Sequence, residues 1–457
     1  MTSQHIKSVL SKGSPLLIGL LAEHMMVMSD TIMVGRLGVE ALAAIAIGIL
    51  LAEILWETAI PLSAGTQTIS SRLHGKEGIT PDPTEKREIA EKIGCTLDNA
   101  ILVALTIGTG AFAIASYSHP LIVSMFGDSP TTALTEAYIQ IIKWGIPLFA
   151  VFSALLGFFG GINKTKIIMI VVLEMNVLNI LISYVLVFGK FGLPALGIEG
   201  AAWGTVIAST IGLLHLGFVA GGKNEFKKYR CFRFAHIQLS LVKEIGKLTL
   251  PVVLLEVTAL ATYFIYESFI IKIGVVFLAV THILLTIFEL NKVIIRGYAK
   301  SASIFVGNAL GRGDSKEALS FAYAGAIISF GFGLISFMSF LFIPEYIIKV
   351  FTSDEETISI GVVAFRFFAV FAFLEVIGYC METIFTHNGW GRYALISEFS
   401  TNAIFLIGGT FLVITVFELG IWAAWSAFAL YLFFHSTILL VGFFSKRWLR
   451  LEISKPC

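Results

Sequence analysis

Twelve apolar stretches, each near the ~20 residues with which an α-helix crosses the hydrocarbon of a bilayer, constrain this chain more than any other feature. They lie near 15–34, 42–62, 94–117, 138–161, 167–188, 199–220, 247–271, 275–295, 319–343, 360–386, 394–416 and 421–444. A soluble protein presents roughly 25% charged residues to meet water, whereas this chain has 14% charged and 56% hydrophobic residues over 457 positions. It reads as an all-α integral membrane protein of twelve transmembrane helices. The first stretch is too long for a signal-peptide core and has no small-residue cleavage site beside it, so it is expected to remain as the first span.

The basic residues test that count. If the stretches are spans, Lys and Arg should gather in alternate connections, on the cytoplasmic side. All but six of the 32 do so, the six being Arg36, Lys143, Lys190, Lys272, Lys349 and Arg366. Both termini are therefore expected to be cytoplasmic. The net charge of +1 gives no field that would draw nucleic acid.

A shift of 236 residues superposes the chain on itself without a gap. It pairs Pro15 with Pro251, Gly38 with Gly274, Leu42 and Ala43 with Leu278 and Ala279, Glu53 with Glu289, and Gly75 with Gly311. Six spans per copy is an even number, so both copies enter from the same side and are related by an axis along the membrane normal. The expected organisation is two pseudo-symmetric six-helix bundles: an N-terminal lobe over 1–222, a basic cytoplasmic linker over 223–246 and a C-terminal lobe over 247–457. Folds of this kind place the substrate path between the halves.

The spans contain many acids: Glu23, Asp30, Glu53, Glu57, Asp98, Glu174, Glu256, Glu267, Glu289, Glu375, Glu382 and Glu398. An acid at mid-bilayer costs roughly 2.5–3.5 kcal/mol even on the mildest scale, so these must face an interior, a partner or water. Glu23 and Asp30, and Glu375 and Glu382, are seven apart, and Glu53 and Glu57 four apart, which puts each pair on one helix face. A low-dielectric cavity lined by carboxylates attracts protons, sodium or organic cations. Structural roles compete for each acid taken singly, and Glu289 with Lys292 reads as a local ion pair.

Other signals carry less. The four cysteines have no CxxC spacing, so neither a disulfide framework nor a zinc site is expected. His24, His215, His282 and His435 stand alone on apolar helices apart from nearby acids, and core polar contacts are their expected use. Gly157 and Gly161 are spaced for close helix packing. Arg312-Gly313-Asp314 and Asn163-Lys164-Thr165 imitate adhesion and glycosylation motifs on the expected cytoplasmic side. No HExxH, GxSxG or P-loop is present, which weighs against a protease, a hydrolase or an ATP-driven pump.

Three segments carry a resemblance. Asp30–Gly38 with Leu42-Ala43-Ala44 is similar to the first-helix signature of the multidrug and toxic compound extrusion (MATE) family of cation-coupled antiporters. Ala302–Gly311 resembles the segment after span eight, and Phe191–Thr205 the connection between spans five and six. The resemblance implies that Asp30 is the protonatable or sodium-binding acid of the first lobe, with Asn179 and Thr205 beside it. Members coupled through this lobe often carry a second acid four residues after the span-five Asn; here Ser183 stands there. In the second lobe Glu256 matches an acid that some members use for sodium, but its usual span-ten partner falls on Ile377, two residues from Glu375. Glu53, Glu256, Glu289, Glu375 and Glu382 are the cavity or second-lobe cation candidates.

The resemblance implies a secondary transporter of the bacterial inner membrane, not an enzyme, that couples proton or sodium entry to export of small organic, cationic compounds or drugs. It implies no cofactor, and a monomer in contact with lipid is expected. A lipid-linked oligosaccharide flippase of related two-lobed architecture is the first alternative, although such a cavity should favour bases. A membrane-embedded enzyme or receptor is the second, and it leaves the repeat unexplained.

Overall fold

The computed structural model describes residues 3–233 and 237–451, apart from the side chains of Met125 and Phe126; Lys455 and Cys457 lie outside these. Fifteen α-helices account for most of it. In the first half they are α1 (Ser3–Gly35), α2 (Val39–Trp56), α3 (Leu62–Ile79), α4 (Pro83–Ser116), α5 (His119–Phe126), α6 (Pro130–Gly161), α7 (Thr165–Phe188) and α8 (Ile198–Gly222). In the second they are α9 (Leu239–Ile270), α10 (Val275–Gly311), α11 (Ser315–Phe342), α12 (Pro344–Lys349), α13 (Glu355–Thr386), α14 (Gly391–Thr401) and α15 (Ile421–Ser445). Beyond α14 the chain continues as π-helix over Asn402–Gly409 and Leu412–Val416. With Gly391–Val416 taken as one span, twelve of these helices are long and apolar enough to cross a membrane.

The duplication reappears in the helix starts. α2 begins at Val39 and α10 at Val275, which are 236 apart. The copies then differ. The expected span 42–62 is broken between α2 and α3, where Pro61 cannot donate a backbone hydrogen bond. The equivalent residue is Gly297, and α10 runs through it unbroken to Gly311, well beyond the expected end at 295. A Cβ at Gly297 would lie 2.7 Å from the backbone nitrogen of Leu17, so this position tolerates no side chain.

α3 is polar yet buried, with Ser63, Thr66, Gln67, Thr68, Ser70 and Ser71 all inside. Thr66 and Thr68 satisfy their hydroxyls locally by donating to the carbonyls of Leu62 and Ala64. Its neighbour α6 offers a glycine face: a Cβ at Gly157 would stand 2.5 Å from the Ser63 carbonyl, and one at Gly161 2.7 Å from Ser70 Cβ. Close packing is the use of that glycine pair.

The chain forms two compact units. One comprises residues 3–17, Leu254–Leu310 and 314–451; the other comprises Ile18–Val253 and Gly311–Gly313. These units cross the expected lobe limits in the same way twice, because α1 and α9 each change unit just after a proline, Pro15 and Pro251. Within the first unit Val9 is fully buried in a core with Ala299, Ala302 and Phe321, and Ser301 donates to its carbonyl at 2.9 Å. Within the second, Thr249 lies against Gly65, where a Cβ would meet its hydroxyl at 2.4 Å.

The segment after α8 is pinned to α4. Asp98, expected among the membrane acids, accepts the backbone N–H groups of Phe232 at 2.6 Å and Arg233 at 2.8 Å, and Asn99 accepts that of Gln238 at 2.8 Å. Its carboxylate therefore has a structural use. Glu77 on α3 takes hydrogen bonds from Lys228 and, at 3.2 Å, from His74. Burial works to raise this carboxyl, but the two donors outweigh it and hold it below the usual carboxylate range.

Two further sequence motifs are local devices. Asp314 caps α11 by accepting from the Glu317 N–H, after Gly313 has turned the chain with φ of 77°. Asn163 occupies the turn between α6 and α7 with φ of 61°.

Candidate functional site

Asp30 sits on α1, buried to 4% exposure, one helical turn before the end of the helix. Facing it are Asn179 and Ser183 on α7 and Thr205 on α8, all buried. The approach of α7 to α8 depends on missing side chains. A Cβ at Gly204 would lie 2.1 Å from Ser183 Oγ, and one at Gly200 2.6 Å from the Leu186 carbonyl carbon. The two glycines bring Thr205 within 3.1 Å of Asn179.

The polar groups then close around one carboxylate oxygen. The Thr205 hydroxyl donates to Asp30 Oδ2 at 3.0 Å, and the Asn179 amide donates to the same oxygen at 3.3 Å. Ser183 Oγ lies 3.3 Å from that amide and accepts from it. Asp30 Oδ1 and Asn179 Oδ1 are buried with no donor. An anionic oxygen and an amide oxygen, both inside and both unpaired, are acceptors for a proton or a hard cation. All four residues assigned to the first-lobe site are thus brought together, although α1 and α7 lie some 150 positions apart in sequence.

The MatE family model matches residues 15–185 and again 251–412. The chain belongs to the MatE family. The two matched segments begin 236 residues apart, the same shift that superposes the sequence on itself. Among curated MatE relatives, a "Probable multidrug resistance protein NorM" of Agrobacterium fabrum is 30% identical over 76% of this chain and 72% of its own length. One of the same name from Thermotoga maritima is 27% identical over 77% and 75%. A solved multidrug resistance MATE family transporter of the MOP superfamily, in its outward-facing conformation, matches with a TM-score of 0.84 at 20% identity, covering 98% of this chain and 97% of that one. As a MatE member the chain is a multi-pass membrane transporter of the bacterial inner-membrane type, not an enzyme.

The second-lobe candidates of this MatE protein gather on two bases, Glu289 and Glu375 on Lys292 and Glu382 on His435. Glu375 is buried and ion-paired with Lys292 at 3.4 Å; Lys292 also binds Glu289 at 2.8 Å and donates to the Tyr263 hydroxyl at 3.2 Å. The expected Glu289–Lys292 pair is present and extends to two further helices, α9 through Tyr263 and α13 through Glu375. Glu382, on the same face of α13 as Glu375, turns to different partners, His435 and its surroundings. Glu256 is half-buried on α9, and Glu53 is exposed on α2.

Three of the four histidines are not alone. His215 meets Glu174 at 2.5 Å, His282 meets Glu267 at 2.8 Å, and His435 lies between Glu382 and Glu398. Each pairing crosses from one helix to another, so spacing along the chain carries no trace of it. The remaining one, His24, bonds its own helix at the Leu20 carbonyl.

Proposed function

We propose that this MatE protein is a cation-coupled antiporter that exports small organic, cationic compounds, with the coupling proton or sodium ion held at Asp30, Asn179, Ser183 and Thr205. The observation that carries the reading is the pair of buried oxygens, Asp30 Oδ1 and Asn179 Oδ1, that receive no donor. An ionised carboxylate away from water costs several kcal/mol unless compensated, and either a proton or a cation between these oxygens compensates it. Ion loading then changes how α1, α7 and α8 pack. The cycle uses differential binding of ion and substrate to two conformations and needs no covalent step.

The multidrug resistance names of the relatives support the substrate class. The acids of the spans support a cationic cargo. In this reading both termini face the cytoplasm, where the basic connections lie, lobes 1–222 and 247–457 alternate access around the 223–246 linker, and the protein acts as a monomer without a cofactor.

The test is transport in proteoliposomes under imposed proton or sodium gradients, for the parent and for Asp30→Asn. The parent should expel a cationic dye only while one gradient is present, and Asp30→Asn should lose that dependence. Full gradient-driven efflux by Asp30→Asn would remove the coupling role from this site.

A further inference from the structure

His435 on α15 is nine-tenths buried and has both ring nitrogens facing carboxylates. Its Nε2 is 3.1 Å from Glu382 Oε2 on α13, and its Nδ1 is 3.3 Å from Glu398 Oε2 on α14. Ser397 Oγ stands 3.2 Å from Nδ1. Glu398, only 3% exposed, is held in turn by the Tyr431 hydroxyl at 3.1 and 3.2 Å and by the Asn402 amide at 2.8 Å. Asn402 is itself 2% exposed, and its Oδ1 has no donor. It opens the π-helical stretch Asn402–Gly409, a wide-turn geometry that recurs at functional sites.

This arrangement makes the proton count decide the contacts. With two N–H groups the imidazolium donates to both carboxylates. With one N–H the ring keeps one carboxylate bond and loses the other; at Nδ1 the Ser397 hydroxyl, 3.2 Å away, then donates to the lone pair in place of the lost contact with Glu398. The charged groups around it add no surplus of positive charge. Lys292 bears on the ring but is already shared by Glu289 and Glu375, and Tyr263 and Tyr431 are the neighbouring phenols. Arg296 and Glu256 act with Glu382 on Tyr379 of α13, so, counting His435 as protonated, five carboxylates meet three bases.

We propose that Glu382, His435 and Glu398 form a second proton-exchange site, contained in the C-terminal part of the chain and loaded independently of Asp30. Release of one proton breaks one of the two carboxylate bonds that tie α13 and α14 to α15, and uptake restores it. The cluster thus converts proton occupancy into helix packing at a place distinct from the site proposed above.

The test uses the full-length protein in lipid nanodiscs with ring-15N histidine. Nitrogen shifts are followed from about pH 5 to about pH 8, the interval in which an imidazole exchanges its proton. The His435 signals are assigned by their loss in His435→Gln or, should that protein not fold, by their displacement in Tyr431→Phe. The expected result is two protonated ring nitrogens at the acid end and one at the other. Glu382→Gln should move the transition, and Asp30→Asn should leave it in place. A ring protonated throughout, or neutral throughout, would reduce the cluster to a fixed structural contact and overturn the proposal. Movement of the transition in Asp30→Asn would overturn its independence. Signals that respond to added Zn2+ and not to pH would assign the cluster to a metal and sink the proton reading. Because efflux by Asp30→Asn reads only the first site and this titration only the second, the two readings fail separately.

Discussion

Thr205 and Asp30 are joined by a hydroxyl-to-carboxylate hydrogen bond of 3.0 Å that links α8 to α1 inside a buried pocket. It is the shorter of the two bonds that reach Oδ2 of this carboxylate, so the site is most exposed to change at the hydroxyl. Thr205→Val keeps the shape and deletes the donor. A buried acceptor stripped of a donor costs about 1–3 kcal/mol, so the variant should melt earlier and lose gradient-driven efflux. Thr205→Ser should retain both, and thermal unfolding with proteoliposome transport checks each.

Gly204 governs the same site from the backbone side. The Cβ of Gly204→Ala would stand 2.1 Å from Ser183 Oγ and 2.9 Å from its backbone nitrogen, which forces α7 and α8 apart. Overpacking of this kind costs about 1–3 kcal/mol, and efflux should fall with it. Gly217→Ala on the same helix meets nothing within 4 Å and should be silent in both measurements.

Lys292 compensates Glu375, whose Oε2 has no donor of its own. Breaking a buried ion pair from one side costs about 3–5 kcal/mol, so Lys292→Met should destabilise strongly. Lys292→Met combined with Glu375→Gln removes both charges and should recover much of the loss. A thermal-unfolding cycle over the four proteins reads the coupling directly.

Glu77 gives a pH dependence outside the spans. Its carboxyl is held below its ordinary value in the folded protein, so its contribution is present above the unfolded pKa, near 4.5, and is lost as pH falls through the lower folded value. Stability should therefore decline below about pH 4.5 by a component that Glu77→Gln lacks. Unfolding midpoints of parent and variant against pH test this, and Lys228→Met should reduce the same component.

Much of the molecule was legible in one dimension because its causes are local or repetitive. An apolar run of a given length crosses a bilayer whatever its neighbours do, so all twelve spans could be placed. A shift of 236 needs only identity comparison, and it returns in the helix starts at Val39 and Val275. The group Asp30, Asn179, Ser183 and Thr205 was found through family resemblance, since nothing in its spacing says that α1, α7 and α8 meet. The break at Pro61 was missed although its cause is visible, because the residues before it are as apolar as a span.

Contacts between distant helices follow a different rule. Asp98 looks like any membrane acid until the backbone of Phe232 and Arg233 folds onto it, 134 and 135 residues later. His435 and Glu382 are 53 residues apart, and only the packing of α13 against α15 places the carboxylate on the ring. Pro15 and Pro251 mark the repeat, but neither shows that the helix segment before it packs into the other compact unit. Composition and periodicity are properties of a single segment, and they were enough for spans, copies and charges. Partnership between buried polar groups depends on which helix faces meet, and that information exists only once the faces are packed.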